Sequence, residues 1–221
     1  MYNFQNMKAK NQMTDHQYQK LVRADRDLIT GIVPTGSYVL DLGCGDGSLL
    51  SELKVKKGVD GRGIDIDENN LIECVEKGLS VCQSDLDNGL DDYPDDSYDY
   101  VILNQTLQVI RKPEKVIREM LRVGRYGIVG FPNFGQWRLR SGLLFRGRMP
   151  KSPSLPFEWY NTPNIHQLTI KDFRDFCLSR NISIIHEEYL IGGTWRNSKL
   201  WRSTANICAL NGMFVITDST K

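Results

Sequence analysis

Apolar positions along the chain follow two rhythms, one with the period of a helix and one of short, nearly continuous runs. Across residues 15–32, Tyr18, Leu21, Val22, Leu28, Ile29 and Ile32 share one face of a helical repeat, and Pro34-Thr35-Gly36 ends it. Val39-Leu40-Asp41-Leu42 reads as a buried strand, and residues 48–53 as the first turns of a helix whose basic end or loop is 54–57. A second strand is predicted at 61–66. A helix follows at 67–77, with Leu71, Ile72 and Val75 on one face and Gly78 as its stop. A third strand covers 79–83 and a fourth 98–103, separated by an acidic loop at 87–96. Pro113 suits a helix start; Val116, Ile117, Met120 and Leu121 form its stripe, Gly124 ends it, and 126–131 is the fifth strand. Thr169-Ile170-Lys171-Asp172 has the spacing of a capping box for a helix running through residue 180. Residues 182–190 read as a sixth strand, and 204–217 contains the last, with Asn211-Gly212 as a turn or bulge within it.

Strands alternating with helices of about ten residues indicate an α/β fold with a mainly parallel, doubly wound sheet and helices on both faces. The pattern gives no strand order. At 221 residues the chain reads as one domain, 14–221, behind a polar tail at 1–13. Residues 132–165 break the rhythm. They hold Pro132, Pro150, Pro153, Pro156 and Pro163, basic Arg138, Arg140, Arg146, Arg148 and Lys151, and six aromatic residues including Trp137, Phe145, Trp159 and Tyr160. A long irregular segment of this kind suits a lid or a partner-docking surface.

Charge narrows the classes. Lys plus Arg number 28 against 27 Asp plus Glu, which gives no general attraction to nucleic acid, although arginine interleaved with aromatics suits single strands. No apolar run is long enough to span a membrane, and the polar start has no signal-peptide core. The five cysteines are scattered without a Cys-x-x-Cys pair, so a disulfide framework or a zinc site is not expected, and the chain reads as cytoplasmic with no metal.

The candidate chemistry lies in Asp41-Leu42-Gly43-Cys44-Gly45-Asp46-Gly47. A glycine turn between a buried strand and a helix N-terminus lets a nucleotide-like ligand lie against backbone. A phosphate loop would need Lys-Ser/Thr after the glycines, and a dinucleotide fingerprint a third glycine where Ser48 stands. Asp41 and Asp46 flanking the loop would also repel a pyrophosphate. They suit a ligand with an ammonium and a sulfonium, and S-adenosylmethionine has both. Asp65, 18 residues beyond Gly47, is placed to accept from the ribose hydroxyls. Asp85 and Leu86, ending strand three, could supply an acceptor and an apolar face to the adenine. The alternative for each acid is a solvated turn residue.

Asp41-Leu42-Gly43-Cys44-Gly45-Asp46-Gly47 and Gly63-Ile64-Asp65-Ile66-Asp67 resemble the first two motifs of class I S-adenosylmethionine-dependent methyltransferases. That superfamily implies a Rossmann-like, seven-stranded sheet whose last strand is antiparallel. A closer resemblance runs from about Arg26 to Val215. It rests on Ser84-Asp85-Leu86-Asp87, Asn104-Gln105-Thr106-Leu107-Gln108-Val109, Phe131-Pro132-Asn133-Phe134, Gly147-Arg148-Met149-Pro150 and Trp159-Tyr160-Asn161-Thr162-Pro163-Asn164-Ile165-His166. These stretches are similar to the MetW family of methionine biosynthesis; residues 192–204 match weakly. The resemblance implies binding of S-adenosylmethionine or S-adenosylhomocysteine by Asp41, Gly43, Cys44, Gly45, Asp46, Gly47, Asp65, Ile66, Asp85, Leu86 and Asn104. It also implies homoserine O-acyltransferase as a partner that this chain assists or regulates.

Whether methyl transfer follows binding stays open in the sequence. The residues after strand four, Asn104-Gln105-Thr106, usually help shape an acceptor pocket, and no Asn/Asp-Pro-Pro-Tyr/Phe motif or metal cluster is present. Asn104, Gln105 and His166 are the catalytic candidates. His166 reads as a base facing the cleft or as a capping or packing histidine, His186 as a structural or surface residue, and His16 has no evident partner. The two functional expectations are therefore a cofactor-binding partner of the acyltransferase, and an active methyltransferase on an unidentified small acceptor.

Overall fold

The buried run at 39–42 forms the middle of the sheet. In the computed structural model, which describes residues 12–221, β1 (Tyr38–Leu42) pairs in parallel with β2 (Asp60–Asp65) on one side. β3 (Ser80–Gln83) lies parallel beyond β2. On the other side of β1 come β4 (Tyr98–Asn104) and β5 (Gly124–Pro132), both parallel. β6 (Ile182–Ile191), β7 (Thr194–Arg196) and β8 (Asn211–Asp218) complete the order β3-β2-β1-β4-β5-β8-β6-β7. The last strand runs antiparallel to both neighbours, β5 and β6. After β1 the chain winds to one side and returns to β4 on the other, which opens a crevice at the carboxyl ends of those two strands.

Strand alternation builds a core on each face. Val39, Ile102, Ile128, Met213 and Val215 face α1 (Gln12–Ile32), α2 (Ser48–Lys57) and α3 (Glu68–Glu76). Leu40, Leu103, Val129, Phe131 and Phe214 face α4 (Pro113–Val123), α6 (Ile170–Ser179) and α7 (Lys199–Cys208). The Phe131 and Phe214 rings stack at 5.6 Å, with Phe173 of α6 against both. The capping box forms as read: Thr169 Oγ1 accepts from Asp172 N, and Thr169 N donates back to Asp172.

Several expectations need correction. The sheet has eight strands rather than seven, because Gly192 and Gly193, at φ 61° and 82°, turn the chain back into the three-residue β7. Residues 132–165 are not irregular throughout. Pro132 ends β5, and α5 (Trp137–Arg146) follows, started by Gln136 Oε1 accepting from Arg138 N and ended at left-handed Gly147. Only Leu139 of α5 is buried, so no apolar stripe betrayed the helix. α7 occupies 199–203, for which no element is predicted, and the start of 204–217, the span expected to contain the last strand; Ser198 caps it, and of its residues Ala205 alone is fully buried. Asn211-Gly212 makes regular ladder pairs with Pro132 and Phe131, and the sheet irregularity lies instead between Ile184 and His186. Of the expected tail, 12 and 13 belong to α1, while 1–11 lie outside the described residues.

Candidate functional site

Three left-handed glycines shape the loop between β1 and α2. Gly43, Gly45 and Gly47 have φ of 77°, 55° and 73°. A Cβ on Gly43 would lie 2.6 Å from Thr106 Oγ1, and one on Gly47 2.5 Å from Leu79 Cδ1. Thus these two glycines let the loop pack down on the β4 and β3 connections. At Gly45 a Cβ would meet nothing within 4 Å, so this glycine faces the open side, where a ligand can lie against bare backbone. Gly43 N and Cys44 N both donate to Ile64 O, at 2.7 and 3.0 Å, which ties the loop to β2.

The acids divide into different roles. Asp65, half-buried at the end of β2, accepts from Gly45 N at 2.8 Å through Oδ2, and from Asp67 N at 2.9 Å through Oδ1. Its carboxylate is thereby fixed beside the glycine turn with lone pairs to spare. Asp41 is 3 % exposed, and burial together with neighbouring Asp65 pushes its carboxyl up to about 7. Asp46 is engaged within the fold: it accepts from Ser48 N and Oγ at the head of α2, and pairs with Lys77 at 3.1 Å. Burial alone would raise this carboxyl, but Ser48 and Lys77 outweigh it and hold it below the usual carboxylate range. Cys44 is buried with its sulfur against the Gly63 and Cys74 side, so it serves the loop's packing. Ile66 is exposed beyond β2, Asp85 caps the turn Leu86–Asn88 by accepting from Asp87 N, and Leu86 leans on the α4-side core.

After β4 the backbone turns sharply. Gln105 is a non-glycine residue at φ 56°, a conformation costing of order 1–2 kcal/mol. Its N–H donates to Gly130 O at 2.7 Å and its side chain to Asp25 Oδ2 at 3.0 Å. Gln108 Nε2 donates to Gln105 O, and Gln108 O accepts from Ile165 N and His166 N. The structure therefore links the Gln105 turn to the backbone of His166, whose Nε2 is buried without a hydrogen-bond partner. Asn104 lies over Gly130: a Cβ there would come within 2.2 Å of Asn104 Oδ1. His186 sits on β6, bonded to Glu188 and Asn197, in the surface role expected of it.

Asp25 was missed from the sequence. It is 1 % exposed, and burial pushes its carboxyl up to about 7 against the opposing hydrogen bonds of Gln105, Asn104 and Asn211. The signal was present, because Asp25 falls on the apolar stripe of α1 between Leu21-Val22 and Leu28-Ile29. Asn211 could not have been found this way; it reaches the site only through the antiparallel return of β8. Alternation places Asp41, Asp65, Asn104 and Asn211 on the sheet face covered by α1 and α2, at the carboxyl edge of the parallel strands. Among the described residues no group of three or more His, Cys, Asp or Glu could hold a metal ion, and no helix is long and apolar enough to cross a membrane.

Comparison with known proteins identifies relatives of the chain and of its fold. The family described as "Methionine biosynthesis protein MetW" matches residues 23–216. A bifunctional methionine biosynthesis protein MetXA/MetW from Rhodopirellula baltica is 40 % identical over 177 residues, covering 76 % of this chain and 28 % of that protein. The chain thus spans little more than a quarter of that relative. Among solved structures, an S-adenosylmethionine-dependent methyltransferase from Thermotoga maritima superposes with a TM-score of 0.64 at 13 % identity, over 91 % of both chains. Another from Mesorhizobium loti gives 0.64 at 15 % identity, over 87 % of this chain and 97 % of its own. At such identities the likeness concerns the fold.

Proposed function

The chain belongs to the MetW family of methionine biosynthesis proteins, and from that premise we propose that it binds S-adenosylmethionine or S-adenosylhomocysteine and acts with homoserine O-acyltransferase as partner or regulator. The observation that carries the cofactor reading is the fixed pair of Gly45 and Asp65. The loop offers open backbone at Gly45, and the Asp65 carboxylate is oriented beside it by Gly45 N and Asp67 N. In this reading Asp65 accepts from the ribose hydroxyls, and Gly43, Gly45, Gly47 and the Asn104 backbone line the methionine moiety. Cys44 and Asp46 hold the loop, Asp41 lies buried beneath it, and Ile66, Asp85 and Leu86 flank the adenine.

The partner reading is supported by the relative that joins MetXA and MetW in one chain. It is also supported by an exposed face of α5 and the following loop. Leu144, Phe145, Trp159 and Tyr160 are each more than two-thirds exposed, and Arg138, Arg146 and Arg148 lie in the same stretch. Aromatic and arginine side chains of this kind anchor protein interfaces. We therefore assign this segment to docking. The second reading, methyl transfer to a small acceptor, is favoured by one feature: buried Asp25 and the buried, unpartnered Nε2 of His166 are base-capable groups near the Gln105 turn.

Calorimetry with both cofactor forms tests the first reading: micromolar binding is expected in the wild-type chain and loss in Asp65→Ala. No heat with either form would refute it. Co-purification with homoserine O-acyltransferase, and that enzyme's turnover with and without this chain, tests the second part. Absence of both a complex and an activity change would end the partnership reading.

A further inference from the structure

One cluster of side chains beside the glycine loop is left over by the cofactor reading, which takes only the backbone of Asn104. Asp25 from α1, Asn104 from the end of β4 and Asn211 from the start of β8 meet at the carboxyl edge of the sheet. The side chains of Asn104 and Asn211 reach the Asp25 carboxyl, yet their own Oδ1 atoms are buried without a hydrogen-bond partner. Gln105 Nε2 donates to the carboxyl at Oδ2. Asp25 and Asn211 are 1 % and 2 % exposed, so solvent does not make up the deficit. Two amide oxygens from separate strands, beside one carboxyl from α1, are left without a donor. A group with several N–H donors and a positive charge would satisfy them together.

We propose that Asp25, Asn104 and Asn211 form a binding site for the protonated primary amine of a small ligand, set against the crevice between β1 and β4. An ammonium fits better than a hydroxyl, because three donors diverge from one nitrogen and its charge matches the carboxylate. The same chemistry has two sources. One is the amino group of the cofactor's own methionine moiety; the other is a free amine occupying the acceptor side of the crevice. The inference uses the cofactor reading only to identify the crevice.

The site is tested by calorimetry on the full chain with four probes: S-adenosylmethionine, 5′-methylthioadenosine (which lacks the amino-acid portion), L-homoserine and ethylamine. Asp25→Asn keeps the shape and removes the charge. Asn211→Leu, at a side-chain oxygen without a partner, is the second variant if the first does not fold. If the amine is the cofactor's, both variants weaken S-adenosylmethionine by roughly 10- to 100-fold and leave methylthioadenosine unchanged. If the amine is a second ligand, the wild type binds homoserine or ethylamine, and the variants lose it while S-adenosylmethionine is unaffected. Equal affinities for every probe in wild type and variants overturn the proposal. So does a parallel loss of methylthioadenosine, which would mark a disturbed loop. Failure of both nucleoside probes on the wild type would instead refute the cofactor reading, and the amine probes would still decide this one.

Discussion

Asp25 makes the stability of this chain depend on pH in a direction opposite to most salt-bridged acids. Its carboxyl titrates near 7 in the folded chain against an ordinary value of 3.8. Between those values the folded state holds a proton that the unfolded state has released. Stability is therefore fullest below the unfolded value and declines as pH rises, levelling off above about 7. The full decline is up to ~4 kcal/mol, of which ~2–3 kcal/mol falls between about pH 5 and pH 8. Asp41, also raised to about 7, adds a second contribution of the same sign. Asp25→Asn removes the first. The amide can still accept from Gln105 Nε2, and its own N–H₂ can donate to one of the orphaned asparagine oxygens. Urea denaturation at a series of pH values should show the variant near wild type at about pH 5 and more stable by ~2–3 kcal/mol at about pH 8. In a domain of this size that corresponds to a melting shift of about 5–10 °C. A constant difference between the two proteins across the series would mean that Asp25 is ionised throughout, and the reasoning from burial would fail.

Other outcomes follow from single contacts. Asn133 is 1 % exposed; its Nδ2 donates to Ala209 O at 2.9 Å, and its Oδ1 accepts from Gly135 N and Ile170 N, joining the end of α7 to the start of α6. Asn133→Ala should cost about 2–4 kcal/mol in denaturant titration, since it strands several buried partners. Gly43→Ala places a methyl 2.6 Å from Thr106 Oγ1 in a left-handed backbone. Cofactor binding should fall at least tenfold by calorimetry, and Gly43→Ala combined with Thr106→Ser, which removes one of the clashing atoms, should recover part of it. Phe145→Asp with Leu144→Asp, both on the solvent side of α5, should leave melting within about 0.5 kcal/mol of wild type. In a co-purification assay the same double variant should lose the acyltransferase, and retention would move the docking surface elsewhere.

How much the sequence revealed depended on whether an element's partner was local. Thr169 and Asp172 cap the same helix turn, so their spacing alone predicted α6. The three left-handed glycines and the buried run before them likewise determined the loop, because backbone freedom and strand burial are properties of that stretch. With Asp65, they were enough to suggest the ligand class. α5 and α7 were illegible because each buries only one residue fully, and a helix held by its caps and one contact has no stripe to read.

Charge roles were decided by the tertiary structure. Asp46, a ligand candidate by its position in the loop, is paired with Lys77, which the fold brings across from 31 residues away. Asp25, to which the sequence assigns no role, meets Gln105 because α1 lies over the end of β4. Asn211 joined it because β8 returns antiparallel and carries its first residue to the carboxyl edge of the other strands. Local pattern sets which backbone shapes are possible. Whether a carboxylate caps, pairs or stays unsatisfied depends on donors that arrive from distant segments, and those distances close only when the sheet assembles.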